Sequence, residues 1–177
     1  MRLLFLDIEN TVIDDLVNCN FLEDNCEKIS RLIKEIDPAG ITFFTWGWKL
    51  HSDIDNGIIQ KIYDKLDVPE VKRADEGNLL VKEDSVNFAI EEGWLNESDF
   101  PRAIEPGMMG EFGISKPSCF IGVIPASVTE KQLKDFNATV KDPIEFWLVD
   151  DIVDEKEEIE WHDGKLKAVV LNPKDLD

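Results

Sequence analysis

The residues best suited to chemistry stand at the ends of apolar runs. Leu3-Leu4-Phe5-Leu6 leads into Asp7, with Glu9 two residues on and Thr11 after it. Ile41-Thr42-Phe43-Phe44 closes on Thr45, followed by Trp46 and Gly47. Ile144-Glu145-Phe146-Trp147-Leu148-Val149 closes on Asp150 and Asp151, with Asp154 beyond. Lys116 stands apart, in Gly113-Ile114-Ser115-Lys116-Pro117. The set comprises a carboxylate nucleophile, a second carboxylate, a hydroxyl, an amine and a pair of acids. That is the equipment for phosphoryl transfer through an aspartyl-phosphate. Several acidic oxygens favour a hard cation, and Mg²⁺ takes one or two carboxylates with waters and a phosphate oxygen. Such a cation would polarise the phosphoryl group, and Lys116 and Thr45 would hold its equatorial oxygens.

These residues work together only if the chain brings the strand ends to one place. A strand apolar throughout belongs in a parallel sheet covered on both faces, and such sheets bind ligands at the carboxyl ends of their strands. Singly, Asp and Asn are ordinary turn residues; their recurrence at successive strand ends argues for a site. Cys26, Ile29, Ile33 and Ile36 follow helical spacing, which predicts an amphipathic helix over 24–35. Asp37-Pro38-Ala39-Gly40 ends it, because Pro cannot continue a helix and Gly suits the turn. Strand, helix, strand in this order is a parallel crossover. A second helix is expected over 53–66, on Ile54, Ile58, Ile59, Ile62 and Leu66, and a third over 129–138.

Residues 72–114 gather Pro101, Pro106, Gly107, Gly110 and Gly113 towards their end and read as an insertion or lid over the sheet. Within them Asp84 or Ser85 could cap a helix that stops at Gly93. Near the end of the chain, Asp163-Gly164 is a hairpin signal between 159–162 and 165–170. The competing reading is a short helix followed by one strand over 168–171. The expected architecture is a doubly wound α/β fold, one domain over 1–177, with a mostly parallel sheet and helices on both faces.

Composition narrows the function. The formal charge of −19 argues against an extended nucleic-acid interface, which needs clustered Lys and Arg. With 43% hydrophobic residues the chain can build a core. No apolar run approaches the ~20 residues of a membrane span, and the start lacks the pattern of a secretory signal, so a cytoplasmic location is expected. Cys19, Cys26 and Cys119 are not spaced as ligand pairs, and two histidines give a zinc site little support. Trp46 and Trp48 beside Thr45 could shape a substrate pocket, Trp46 being the nearer. Nothing in the sequence fixes an oligomeric state.

The ordered motifs resemble the haloacid dehalogenase superfamily, whose members are mostly phosphohydrolases. Its first motif, apolar residues followed by Asp-x-Asp-x-Thr or Val, is matched by Leu3 to Thr11. Its second, a strand ending in Ser or Thr, is matched by Phe43-Phe44-Thr45. Its third, a Lys often before Pro, is matched by Lys116-Pro117, and its fourth by Leu148-Val149-Asp150-Asp151 with Asp154. The resemblance implies Asp7 as nucleophile and Mg²⁺ ligand, and Glu9 as acid and base with its main-chain carbonyl on the metal. It implies Thr45 and Lys116 on the phosphoryl group, Asp150 or Asp151 completing the metal site, and Asp154 orienting Lys116 or metal-bound water. The substrate would be a small phosphomonoester. Glu9 departs from the pattern, since phosphatases of this family carry Asp there. Its extra methylene matters because a misplacement of about 1 Å can cost ~100-fold in rate. The rival expectation is a relative that keeps fold and metal but not turnover, acting as a binding or protein-interaction module.

Overall fold

The computed structural model describes residues 1–15, 17–44, 57–74, 90–94, 142–161 and 164–177. Five strands, β1 (Arg2–Leu6), β2 (Gly40–Phe43), β3 (Ile144–Val149), β4 (Glu157–Trp161) and β5 (Leu166–Leu171), form one sheet in the order β2-β1-β3-β5-β4. The seams β2/β1, β1/β3 and β3/β5 are parallel, and β4 joins β5 antiparallel. The fold is α/β and Rossmann-like, with β1 flanked on both sides. That explains its sequence: Leu3, Leu4, Phe5 and Leu6 are all fully buried, so no polar alternation is possible.

One face of the sheet carries Leu4, Leu6, Ile41, Phe43, Val149, Val169 and Leu171. These form one core with Cys26, Ile29, Leu32, Ile33 and Ile36 of α1 (Glu23–Ile36) and with Ile58, Ile59, Ile62 and Tyr63 of α2 (Ile58–Lys65). Burial pushes the Cys26 thiol up to about 11, so it is a packing residue rather than a reactive one. The opposite face carries Leu3, Phe5, Phe146, Leu148, Ala168 and Val170, all buried, with the Phe5 and Phe146 rings stacked 6.1 Å apart.

Two turns differ from expectation. The residue that adopts the left-handed conformation closing α1 is Asp37 (φ 45°), whose N–H donates to the Ile33 carbonyl; its carboxylate pairs with Lys72. Gly40 is not a turn residue but opens β2. The Trp94 ring lies across it, and a Cβ there would come within 2.2 Å of that ring. A strand glycine under an aromatic plane is a close-approach position.

At the end of the chain the hairpin is the form adopted, and the helix alternative is not. Glu157 pairs with Val170, Trp161 pairs with Leu166, and Gly164 takes φ 79° in the turn. Glu157, Glu158 and Glu160 are exposed on β4, where acidic side chains discourage pairing with another sheet. The helix expected over 53–66 is described from Ile58 onward. Most of the 72–114 segment and the 129–138 helix lie outside the described residues. Among the described residues no helix is long and apolar enough to cross a membrane.

Candidate functional site

The register of the sheet decides which acids meet. Leu6 is opposite Val149 across the β1/β3 seam, so Asp7 and Asp150 leave adjacent strands side by side. The backbone continues the ladder: Asp7 N–H donates to the Val149 carbonyl (2.9 Å) and Asp150 N–H to the Leu171 carbonyl (3.0 Å). Carboxylate oxygens of Asp7, Asp150 and Asp151 all lie within 4.8 Å of one another. Asp7 and Asp150 are buried and Asp151 is half-buried. Two full negative charges at that spacing repel by about 3 kcal/mol at an effective dielectric of ~20. A divalent cation would reverse the sign of that term. Three convergent carboxylates are hard oxygen donors, so the group fits an ion such as Mg²⁺.

Both loops are shaped to make this convergence. After β1 the chain doubles back: Val12 and Ile13 N–H both donate to the Ile8 carbonyl (2.9 and 3.1 Å), and Asn10 takes φ 56°. The turn returns Thr11, fully buried, to Asp7. The Thr11 hydroxyl donates to Asp7 Oδ2 (3.2 Å) and accepts the Asp151 N–H (3.1 Å). One side chain thereby links the two acidic loops. Val12 and Ile13 anchor the turn in the core, and Asn25 Nδ2 of α1 donates to the Thr11 carbonyl (3.1 Å).

After β3, Ile152 N–H donates to Asp150 Oδ1 (3.0 Å), and Val153 is buried beneath the loop. Asn172, directly after β5, donates through Nδ2 to the carbonyls of Asp151 (2.7 Å) and Val153 (2.9 Å).

Asp7, Asp150 and Asp151 are thus brought together, as their positions at strand ends suggest. The Glu9 carboxylate is not one of the converging three. Glu9 is half-buried, and its backbone bridges to Ile13 in the turn. Asp154 is exposed, with its carbonyl accepting Lys174 Nζ (2.8 Å). Thr45, Trp46 and Lys116 lie outside the described residues. Two acids close in sequence serve the backbone instead. Hydrogen bonds from the Asn20 side chain first, then from backbone N–H groups, hold Asp14 below the usual carboxylate range. Backbone and side-chain bonds from Asn18 do the same for Asp15.

The linking role of Thr11 and the double donation from Asn172 are not readable from spacing. The available signals were a hydroxyl four residues after Asp7 and an Asn-Pro pair closing the last apolar strand. No family model matches the chain, and neither a curated protein nor a solved structure matches it.

Proposed function

We propose that this chain is a Mg²⁺-dependent phosphohydrolase of small phosphomonoesters that works through an aspartyl-phosphate at Asp7, as its resemblance to the haloacid dehalogenase superfamily implies. The observation that carries the reading is the meeting of Asp7, Asp150 and Asp151 at the carboxyl ends of two adjacent parallel strands. When bound there, the cation would supply Lewis-acid polarisation of the phosphoryl oxygens and offset the charge of the nucleophile.

In this reading an Asp7 carboxylate oxygen attacks phosphorus, and the bond from phosphorus to the ester oxygen breaks. The Glu9 carboxyl gives its proton to the departing oxygen, releasing the alcohol. Glu9 then takes a proton from water as that water attacks the phosphoaspartyl group. The bond from phosphorus to Asp7 breaks, orthophosphate leaves, and the carboxylate is restored. Thr11 sets the rotation of the Asp7 carboxylate through its bond to Oδ2. Thr45 and Lys116 hold the phosphoryl oxygens, and Trp46 borders the substrate.

Glu9 favours a second reading, in which the chain binds metal and ligand without turnover. Hydrolysis of p-nitrophenyl phosphate and a panel of phosphomonoesters, with and without Mg²⁺, separates the two. The phosphatase reading expects Mg²⁺-dependent release of phosphate that Asp7→Asn abolishes, with Glu9→Asp at or above the wild-type rate and Glu9→Gln far below it. Wild-type rates no higher than those of Asp7→Asn across the panel would leave the binding module.

A further inference from the structure

β5 ends one residue before Asn172, and Leu171 lies opposite Val149, so Asn172 emerges beside the loop that begins at Asp150. Every polar group of its amide has a partner of matching sense. Nδ2 donates to the Asp151 and Val153 carbonyls, while Oδ1 accepts the Lys174 N–H (3.0 Å). The amide therefore has one orientation, because a flip would set its oxygen against two carbonyls. Its own N–H donates to Asp175 Oδ2 (3.2 Å), completing a capping box on the short helical turn Pro173–Asp175. Pro173 is buried at the start of that turn, and Lys174 Nζ donates to the Asp154 carbonyl. The turn after β5 thus holds three backbone carbonyls of the acidic loop, on either side of Ile152.

We propose that Asn172 is a positioning residue for the cation site: its two amide donors fix the backbone on which Asp151 presents its carboxylate. The inference rests on the metal-site reading above. Opposing the pull of Asn172 on the Asp151 carbonyl is the Thr11 hydroxyl, which accepts the N–H of the same residue. Asp151 is half-buried where its two partner acids are buried, and these two bonds hold its backbone from both sides. Outer partners of this kind typically change metal affinity by roughly 10–100-fold when removed.

Asn172→Asp tests this cleanly. It keeps the oxygen that accepts from Lys174 N–H and removes the two donors. It also adds a negative charge, which by electrostatics alone would tighten cation binding, so the sign of the effect is diagnostic. Two measurements are made on the full chain: amide hydrogen exchange without metal, and Mn²⁺ binding followed by electron paramagnetic resonance. The proposal expects exchange at the Asp151 and Ile152 amides to rise about tenfold or more, with Leu4 and Phe5 amides unchanged, and Mn²⁺ affinity to fall roughly 10–100-fold. Asn172→Ala should show the same pattern.

Unchanged exchange in the loop, or a rise shared equally by Leu4 and Phe5, overturns the tie itself. Faster loop exchange with Mn²⁺ affinity unchanged or tightened overturns the positioning role and leaves a structural bond. Faster loop exchange in a protein whose wild type binds no Mn²⁺ overturns the metal-site reading, and the positioning role falls with it.

Discussion

At the amino end of the sheet, Arg2 Nε lies 3.0 Å from Glu145 Oε2, Arg2 Nη1 donates to the Ile36 carbonyl, and the Met1 ammonium donates to the Pro143 carbonyl. At the carboxyl end of the same strands, Asp7, Asp150 and Asp151 converge on one another. The first arrangement surrounds a cavity of about 330 Å³ in which acid faces base. The second places like charges together on buried backbone. Burial alone would raise Glu145, but hydrogen bonds from Trp147 Nε1 and Arg2, with the Arg2 and Lys167 charges, overcome it and hold Glu145 below its usual range. The contrast teaches that what separates the two ends of the same strands is how their charges are arranged. At the amino end the Glu145 carboxylate already has a cation as its partner, the Arg2 guanidinium. The carboxyl end gathers three carboxylates into a group that could hold a metal ion.

The comparison breaks most sharply at Asp150. Asp150→Asn should weaken Mg²⁺ binding by more than the ~100-fold that loss of an outer partner costs, and should abolish phosphatase turnover. Without metal its thermal midpoint should stay close to that of wild type, because Asn keeps an oxygen that accepts the Ile152 N–H. Calorimetric titration and thermal melts in a chelator check both halves. A large loss of metal-free stability would show that Asp150 serves the fold instead.

Thr11→Val comes next. The change is nearly isosteric and leaves the Asp151 N–H and Asp7 Oδ2 each short of a partner, so it should cost about 1–3 kcal/mol in urea unfolding. It should also weaken Mn²⁺ binding.

The smallest effect belongs to the amino end. Arg2→Leu removes a partly exposed pair worth about 0.2–1 kcal/mol and should leave cation affinity unchanged. Its signature is in pH. Glu145 has a depressed folded value, so its stabilisation is fully present above the usual 4.5 and is lost as pH falls through the lowered folded value. Acid unfolding of Arg2→Leu should therefore be shallower than wild type in that window. A variant as acid-sensitive as wild type would remove Arg2 as a cause.

What the sequence made legible follows the same physics. β1 and β3 stand out because burial on both faces leaves nothing but apolar residues between polar ends, and the acids that meet are the ones at those ends. The hairpin was one of two readings, and its register settles the choice because β4 pairs residue by residue with β5. Gly40 reads as a turn residue because Pro38 stands two positions before it, whereas its use depends on Trp94, 54 positions later. Asp37 was not singled out, since αL closure by Asp carries little local signal. Thr11 and Asn172 act through backbone partners, and a backbone carbonyl has no letter in a sequence.

The Thr11–Asp151 bond spans 140 residues of chain. Closing a loop of that length costs about 4 kcal/mol in chain entropy, yet the cost grows only logarithmically, so doubling the loop adds about 0.6 kcal/mol. The span that separates the two halves of the acid cluster itself contains α1, β2 and α2, whose burial in the core offsets that cost. The same separation orders assembly during synthesis: β1, α1 and β2 emerge long before β3 does. The cluster exists only once both ends of this span have docked.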